Sequence, residues 1–380
     1  MPRLAKIVTG GVLVGVLGIL AGISPPGLYL EENVGLTLLF RLRGVRRPPP
    51  EVLIVDLDKA SANKLNLDPK TKRWPYQLHA RLIERLVEAG AAVIAFDLFF
   101  DRSSTPAHDS LFAEKIKNAC NVVLFEALTK NSIRLVGNSD NSENELYIEQ
   151  LIPPIPVLAK SAIALAPFPL PKVPVKVSQF WLFKESAGGS PTLPVAAFQI
   201  YCLQYYDDFV RLANDAQTLL AGRLPKSLDD IYRKGDIIPL IKSLRKVFRN
   251  DPDLGYRILS AMPNLKRTAD SSGKNAGLAS LVKTYCGADS NYLNFYGPAG
   301  TITTVPYHKI VQRSGPLIFG DKEIDLKGKA VFVGVAERDP VDPRDSFYTV
   351  YSQANGLDLS GVEIAATAFA TLLEGTPLQP

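Results

Sequence analysis

Four aspartates stand where two apolar runs end. In EVLIVDLDKAS, Val52 to Val55 leads into Asp56 and Asp58; in AAVIAFDLFFD, Ala91 to Phe96 leads into Asp97 and Asp101. Carboxylates at D-x-D and D-x-x-x-D spacing could hold a divalent cation or a cationic ligand if the two strand ends are neighbours, because adjacent strands lie about 4.8 Å apart. The competing reading is that these acids cap turns and helix N-termini. The run GPAGT, with Gly297, Pro298, Gly300 and Thr301, offers backbone amides that could cradle an anion, or it is simply a tight turn. Glu337, Arg338, Asp339, Asp342, Arg344 and Asp345 follow the apolar run Ala330 to Val335. That loop is expected at a strand end facing the first acids, with Arg338 and Asp345 as candidate ligand contacts. The residues name no cofactor and fix no metal.

An α/β architecture must position these groups: a mostly parallel sheet sandwiched by helices, with a helical insertion, preceded by one transmembrane helix. The two apolar runs are continuous rather than alternating, which marks strands buried on both faces. Between them Leu78, Leu82, Ile83, Leu86 and Ala89 recur at helical spacing, with Pro75 at the start and Gly90 at the end. A right-handed crossover follows, and ligands of such sheets gather at the strand carboxyl ends. Further along, Asp109–Ala119 reads as a helix, Asn121–Ala127 as a strand, the polar stretch Asn131–Glu145 as a loop, and the proline-broken Leu151–Pro174 as edge segments. Pro191–Leu203 resumes a helical pattern. Residues 205–288 are charged and helix-prone, with helices expected over Asp207–Ala221, Ser227–Tyr232 and Asp236–Arg249 and a loop at Ser271–Lys274. Strands return at Tyr292–Tyr296 and Ala330–Val335, and an amphipathic helix over Val362–Leu373 closes the domain.

Ile7 to Ile23 carries no charge and reaches about 26 Å as a helix, enough to cross a bilayer core. Leu20 and Pro25 make poor surroundings for signal-peptide cleavage, so an uncleaved anchor is expected. Residues 1–6 would then be cytoplasmic, 7–23 the membrane helix, 24–50 a membrane-proximal helix and linker, and 51–380 the main domain. Gly11, Gly15, Gly18 and Gly22 share one helix face at a spacing that suits close helix pairing and a homodimer; glycine is also simply frequent in membrane helices, and both readings stay open. Arg3 and Lys6 compete with Arg41, Arg43, Arg46 and Arg47, so charge alone leaves the orientation open.

A formal net charge of +5 on 380 residues, with no basic run interleaved with aromatics, argues against a nucleic-acid partner. Cys120, Cys202 and Cys286 lie far apart and read as buried free thiols rather than a zinc site or a disulfide framework. His79 falls on an apolar helix face and reads as a core histidine. His108 and His308 have no ligand partner at helical or loop spacing.

Two resemblances follow. The DLD run is similar to the nucleophile strand of haloacid dehalogenase-like phosphatases, but Lys59 and Ala60 stand where that pattern places Thr or Val. It supports an alternative reading as a metal-dependent phosphohydrolase using Asp56 and Asp58. The larger resemblance is to the second class of CHASE domain, carried by LYLEENVGLTLLFRLRGVRRPPPEVLIVDLD, RWPYQLHARLIERLVEAGAAVIAFDLFFD, NFYGPAGTITTVPYHKI, LKGKAVFVG and SGVEIAATAFATLLEGTPL, in order from Leu28 to Leu378. It implies an extracytoplasmic sensor anchored in the cell membrane, detecting a small ligand or partner protein and coupled in larger receptors to a nucleotide cyclase or a kinase. No kinase or cyclase motif occurs here, so the chain is expected to be the sensory part of a receptor or a lone sensor. Val177–Ser190 lacks the acids that the family often places there, while Pro191, Thr192 and Leu193 are kept. The block 205–288 also departs from the family, and a third reading makes it a protein-interaction module.

Overall fold

Apolar β-branched runs with no polar alternation can be satisfied only between two covering layers, and the central sheet is built that way. The computed structural model of the chain describes residues 34–68, 73–134, 145–170, 176–216, 220–262, 271–312, 315, 317–319, 322–336, 346–352 and 358–375. The expected membrane span 7–23, with Gly11, Gly15, Gly18 and Gly22, lies outside these residues, as do Arg338 and Asp345. Among the described residues no helix is long and apolar enough to cross a membrane.

Strands β1 (Val52–Asp56), β2 (Val93–Phe96) and β3 (Val122–Phe125) are joined by a hairpin of β4 (Ala127–Arg134) and β5 (Glu145–Ile152) to the short edge strand β6 (Ala164–Ala166). A separate pair forms from β7 (Gln179–Trp181) and β8 (Ser290–Tyr292), and β9 (Thr304–Pro306) and β10 (Ala330–Gly334) return to the main sheet. Six strands make that sheet, in the order β9-β1-β10-β2-β3-β6, every pair parallel. Thus β10 lies between β1 and β2, whose ends are not neighbours.

Helix α1 (Leu36–Arg43) precedes the sheet and α2 (Lys59–Lys64) follows β1. Helices α3 (Tyr76–Glu88) and α4 (Pro106–Ala119) cover one face with Leu82, Ile83, Leu86, Phe112 and Ile116. Thr105 caps α4 and Pro106 opens it, a position where a missing N–H costs nothing. The other face carries α5 (Leu193–Cys202), and outside it α6 (Tyr206–Asp215), α7 (Leu228–Lys234), α8 (Ile238–Asn250), α9 (Leu254–Ala261) and α10 (Ser271–Cys286). The short α11 (Tyr307–Val311) follows β9, and α12 (Gly361–Glu374) closes the described chain.

Several expectations are corrected. Asn131–Arg134 and Glu145, expected within a loop, belong to a hairpin in which 127–134 pairs with 145–152; none of its described side chains at 127–131 and 148–152 is buried, so no buried face imposes an alternating pattern there. The strand expected at Tyr292–Tyr296 sits at Ser290–Tyr292, and Leu293–Tyr296 is buried non-strand chain. Ser271–Lys274 opens α10 instead of forming a loop. Helix α12 is not amphipathic, since every residue from Gly361 to Leu372 is buried between the sheet and α10. Gly334 makes that approach feasible, because a Cβ there would lie 2.8 Å from the Val362 side chain. Of the cysteines only Cys202 is buried; Cys120 and Cys286 are exposed.

The acid that holds α12 in place is Glu363. Its carboxylate accepts from Ser360 N at 3.0 Å and Ser360 Oγ at 3.1 Å, while Ser360 Oγ accepts from Glu363 N. It also accepts from Gly300 N at 2.6 Å, so the anion in the GPAGT turn is the chain's own side chain. Glu363 is buried, and removing it orphans these donors. We expect Glu363→Ala to lower unfolding free energy by about 3 kcal/mol and Glu363→Gln by less, read by urea denaturation. A loss under about 0.5 kcal/mol would mean that the contacts add nothing to stability.

Candidate functional site

The four sequence-selected aspartates are placed in four different settings. Asp56 ends β1, is buried, and accepts from Ala336 N at 2.7 Å, tying the β10 exit to β1. Asp58 is the N-cap of α2 and accepts from Ser61 N at 2.8 Å. Asp101 is exposed and pairs with Arg73 at 3.1 Å. Asp97, half-buried just past β2, lines a large cleft. With β10 intervening, the β1 and β2 ends stand about 10 Å apart rather than at one strand spacing. No single ligand shell takes in all four carboxylates. Among the described residues no group of three or more His, Cys, Asp or Glu side chains could hold a metal.

A Ser–His pair beside Asp58 has the composition of a triad and the geometry of a staple. Ser61 Oγ and His308 Nδ1 are hydrogen-bonded at 2.8 Å, and Ser61 Oγ accepts from His308 N at 3.0 Å. A catalytic trio needs a reachable hydroxyl and a carboxylate on the far imidazole nitrogen. Here Ser61 is fully buried, and Asp58 bonds the Ser61 backbone. Burial holds His308 below its usual value, which favours the neutral ring that joins α2 to α11.

The cleft has a volume of about 980 Å³ and opens beyond the carboxyl ends of β2, β3 and β6, where parallel sheets place their ligands. Each wall comes from an identifiable element. Asp97 and Phe125 sit at the ends of β2 and β3, and Leu128, Lys130 and Glu149 come from the hairpin. Phe180 and Trp181 belong to β7, and Gly361 is the first residue of α12. Lys184 Nζ stands 3.2 Å from Glu149 and 4.6 Å from the Trp181 ring centroid; Lys130 is 3.9 Å from the same carboxylate. Trp181 is 40% exposed, an aromatic surface held open at the mouth.

Lys176 is the wall residue that leads elsewhere. Its Nζ donates to Thr37 Oγ1 at 2.6 Å, on the face of α1. Burial, and then the nearby Arg41 guanidinium, hold its pKa below the ordinary lysine range. Helix α1 is fixed by Phe40, packed against Phe295 and Tyr351 at 5.8 and 6.0 Å between ring centroids. Past Gly44, Arg46 stacks on Tyr296 and pairs with Glu374 at the far end of α12.

The sequence reading also missed a carboxylate. Glu126 follows β3 directly, the same acid-after-apolar-strand pattern as Asp56 and Asp97, but counting it inside a longer strand hid it. It is buried, and burial pushes its pKa up to about 7, with Asp236 adding to the rise and Lys242 opposing it.

The comparison with known families decides what frame this is. The profile of the CHASE2 domain matches residues 12–380, nearly the whole chain.

The chain belongs to the CHASE2 domain family.

CHASE2 domains are extracytoplasmic sensory domains, in agreement with the resemblance. No curated protein and no solved structure matches this CHASE2 chain.

Proposed function

We propose that this CHASE2 chain detects a small extracytoplasmic ligand in the cleft and passes its occupancy through Lys176 and Thr37 to α1, beside the membrane. The observation that carries the reading is the hydrogen bond from a cleft lysine to the helix that follows the expected anchor. A ligand that binds Lys176 better when it is released from Thr37, or better when it is held there, shifts α1 between two positions by that differential affinity. The membrane side of the proposal rests on residues 7–23. The output, a nucleotide cyclase or a kinase, would lie in another part of the receptor.

The wall chemistry favours a flat aromatic body with one anionic group. Trp181, Phe125 and Phe180 supply the apolar surface, and the lysines 130, 176 and 184 outnumber the carboxylates 97 and 149. The probe is a naphthalene carboxylate, titrated calorimetrically into the full chain in neutral detergent. Naphthalene methanol and hexanoate serve as comparisons that keep only the ring or only the charge. The carboxylate should bind one site per chain about tenfold more tightly than either, and Lys176→Met should cost about tenfold. Equal binding of the alcohol, lost in Trp181→Leu, would keep the site and overturn the ligand class. No binding of any of the three would overturn the site.

Metal-dependent phosphohydrolysis by Asp56 and Asp58 is not favoured. A nucleophilic carboxylate needs an approachable oxygen, and these two are occupied as a buried strand tie and a helix cap.

A further inference from the structure

Helix α1 is apolar on its outward face as well as on its inward one. Its inward face carries two large apolar side chains, the partly buried Leu36 and the buried Phe40, together with Thr37 bonded to Lys176 and Arg43 bonded to Asn294 Oδ1 and the Phe295 carbonyl. Its outward face is apolar: Val34, Leu38 and Leu42 follow one another at four-residue intervals, Leu39 lies beside them, and Val45 continues the line past Gly44. These five side chains are between 55% and 76% exposed, on a helix otherwise firmly seated in the domain. A surface helix of a globular domain turns its apolar stripe to the core and its charges to water. A second apolar stripe turned outward fits an apolar medium outside α1.

We propose that this ridge lies in the interfacial layer of the bilayer, with α1 parallel to the membrane plane. Two observations choose the bilayer over a second copy of the chain. The uncharged run Ile7 to Ile23 ends only eleven residues before Val34, so even a fully extended connection keeps α1 within about 40 Å of the bilayer core. Arg41 and Arg47 stand exposed beside the ridge, where their guanidinium groups meet lipid phosphates and anionic headgroups. This arrangement, apolar ridge down and arginines at its margin, is that of a helix lying on a membrane. It sets the Lys176 wall of the cleft on the membrane side, one hydrogen bond above the lipid.

The test is a depth measurement on the full chain in vesicles of phosphatidylcholine and phosphatidylglycerol. Cys120 and Cys286 are replaced by Ser, and a single bimane label is placed through Leu42→Cys, a site exposed enough to accept it. Lipid brominated in its acyl chains should quench the label at position 42 at least about twofold, while the same label introduced through the exposed Lys117→Cys on α4 stays unquenched. Arg41→Glu with Arg47→Glu should weaken the quenching in phosphatidylglycerol-rich vesicles. An unquenched label at position 42 overturns the proposal. So does a position-42 cysteine that oxidises to a disulfide-linked dimer while its label remains unquenched, since that outcome assigns the ridge to a second copy.

Discussion

Between about pH 4.5 and about pH 6.5 the contributions of His79 and Glu126 to stability are expected to offset each other, and a single substitution at either should tilt the profile, in opposite directions. His79 is buried among Phe96, Phe100, Phe112 and Tyr307, hydrogen-bonded at 3.0 Å to the Tyr307 hydroxyl, with burial pushing its pKa down to about 3. Folding therefore excludes a proton that the unfolded chain binds. Its contribution is complete above pH 6.5 and is lost as the pH falls toward about 3, at about 1.4 kcal/mol per pH unit. Glu126 works the other way. Its folded pKa of about 7 exceeds the ordinary 4.5, so its contribution is complete below pH 4.5 and is lost as the pH rises through about 7. In the shared window the slopes cancel. Glu126→Gln should make the variant gain on the parent by about 3 kcal/mol between the two ends of the Glu126 transition, and His79→Gln should leave a stability that falls with rising pH. Urea midpoints across this range read both effects. Parallel profiles for parent and variants would mean that neither group titrates differently on folding.

Excising residues 205–288 is expected to abolish folding. If the block were a separable interaction module, its removal would leave the α/β core intact. The packing says otherwise. Leu278, Leu281, Val282 and Tyr285 of α10 are buried in the same cluster as Phe198 of α5 and Phe369 of α12. The Tyr285 hydroxyl donates to Gln199 Oε1 at 2.8 Å, and Ser280 Oγ donates to the Leu372 carbonyl. Arg245 of α8 donates to Gly287 O and Asp289 at 2.8 and 2.9 Å, tying the block to the chain entering β8. Four large side chains at about 1.5–3 kcal/mol each sum to about 6–12 kcal/mol, as much as the whole stability of many domains. The excised chain should show no cooperative thermal transition by circular dichroism. A sharp transition near the parent's would restore the module reading.

What was legible in the sequence was whatever depends on neighbours along the chain. Continuous apolar runs gave β1 and β2, Pro75 and Gly90 bounded α3, and the scattered prolines of 151–174 marked an edge, where β6 sits. What was not legible depends on residues far apart. That β10 enters between β1 and β2 is a fact of pairing across more than two hundred residues, and it separates Asp56 from Asp97. The hairpin that supplies Lys130 and Glu149 to the cleft overlaps the stretch Asn131–Glu145 that reads as a loop, since none of its described side chains at 127–131 and 148–152 is buried. Helix α12, expected to be amphipathic, carries Thr367 and Thr371 in buried positions. Both hydroxyls donate to the carbonyl one turn back, at 2.7 and 2.8 Å, and so bury without cost. Of the candidate site, Asp97 was visible. Lys176 and Trp181 were not, since nothing local sets them apart from surface residues.

The most direct test of the coupling is hydrogen exchange of residues 36–43 in the full chain, with and without a saturating naphthalene carboxylate. A ligand at Lys176 that acts through Thr37 should change exchange across α1, and Thr37→Val should remove that change while leaving the affinity for the probe within about threefold. Protection confined to the cleft, with exchange of 36–43 unaltered by the probe, would contradict the proposed path from ligand to membrane.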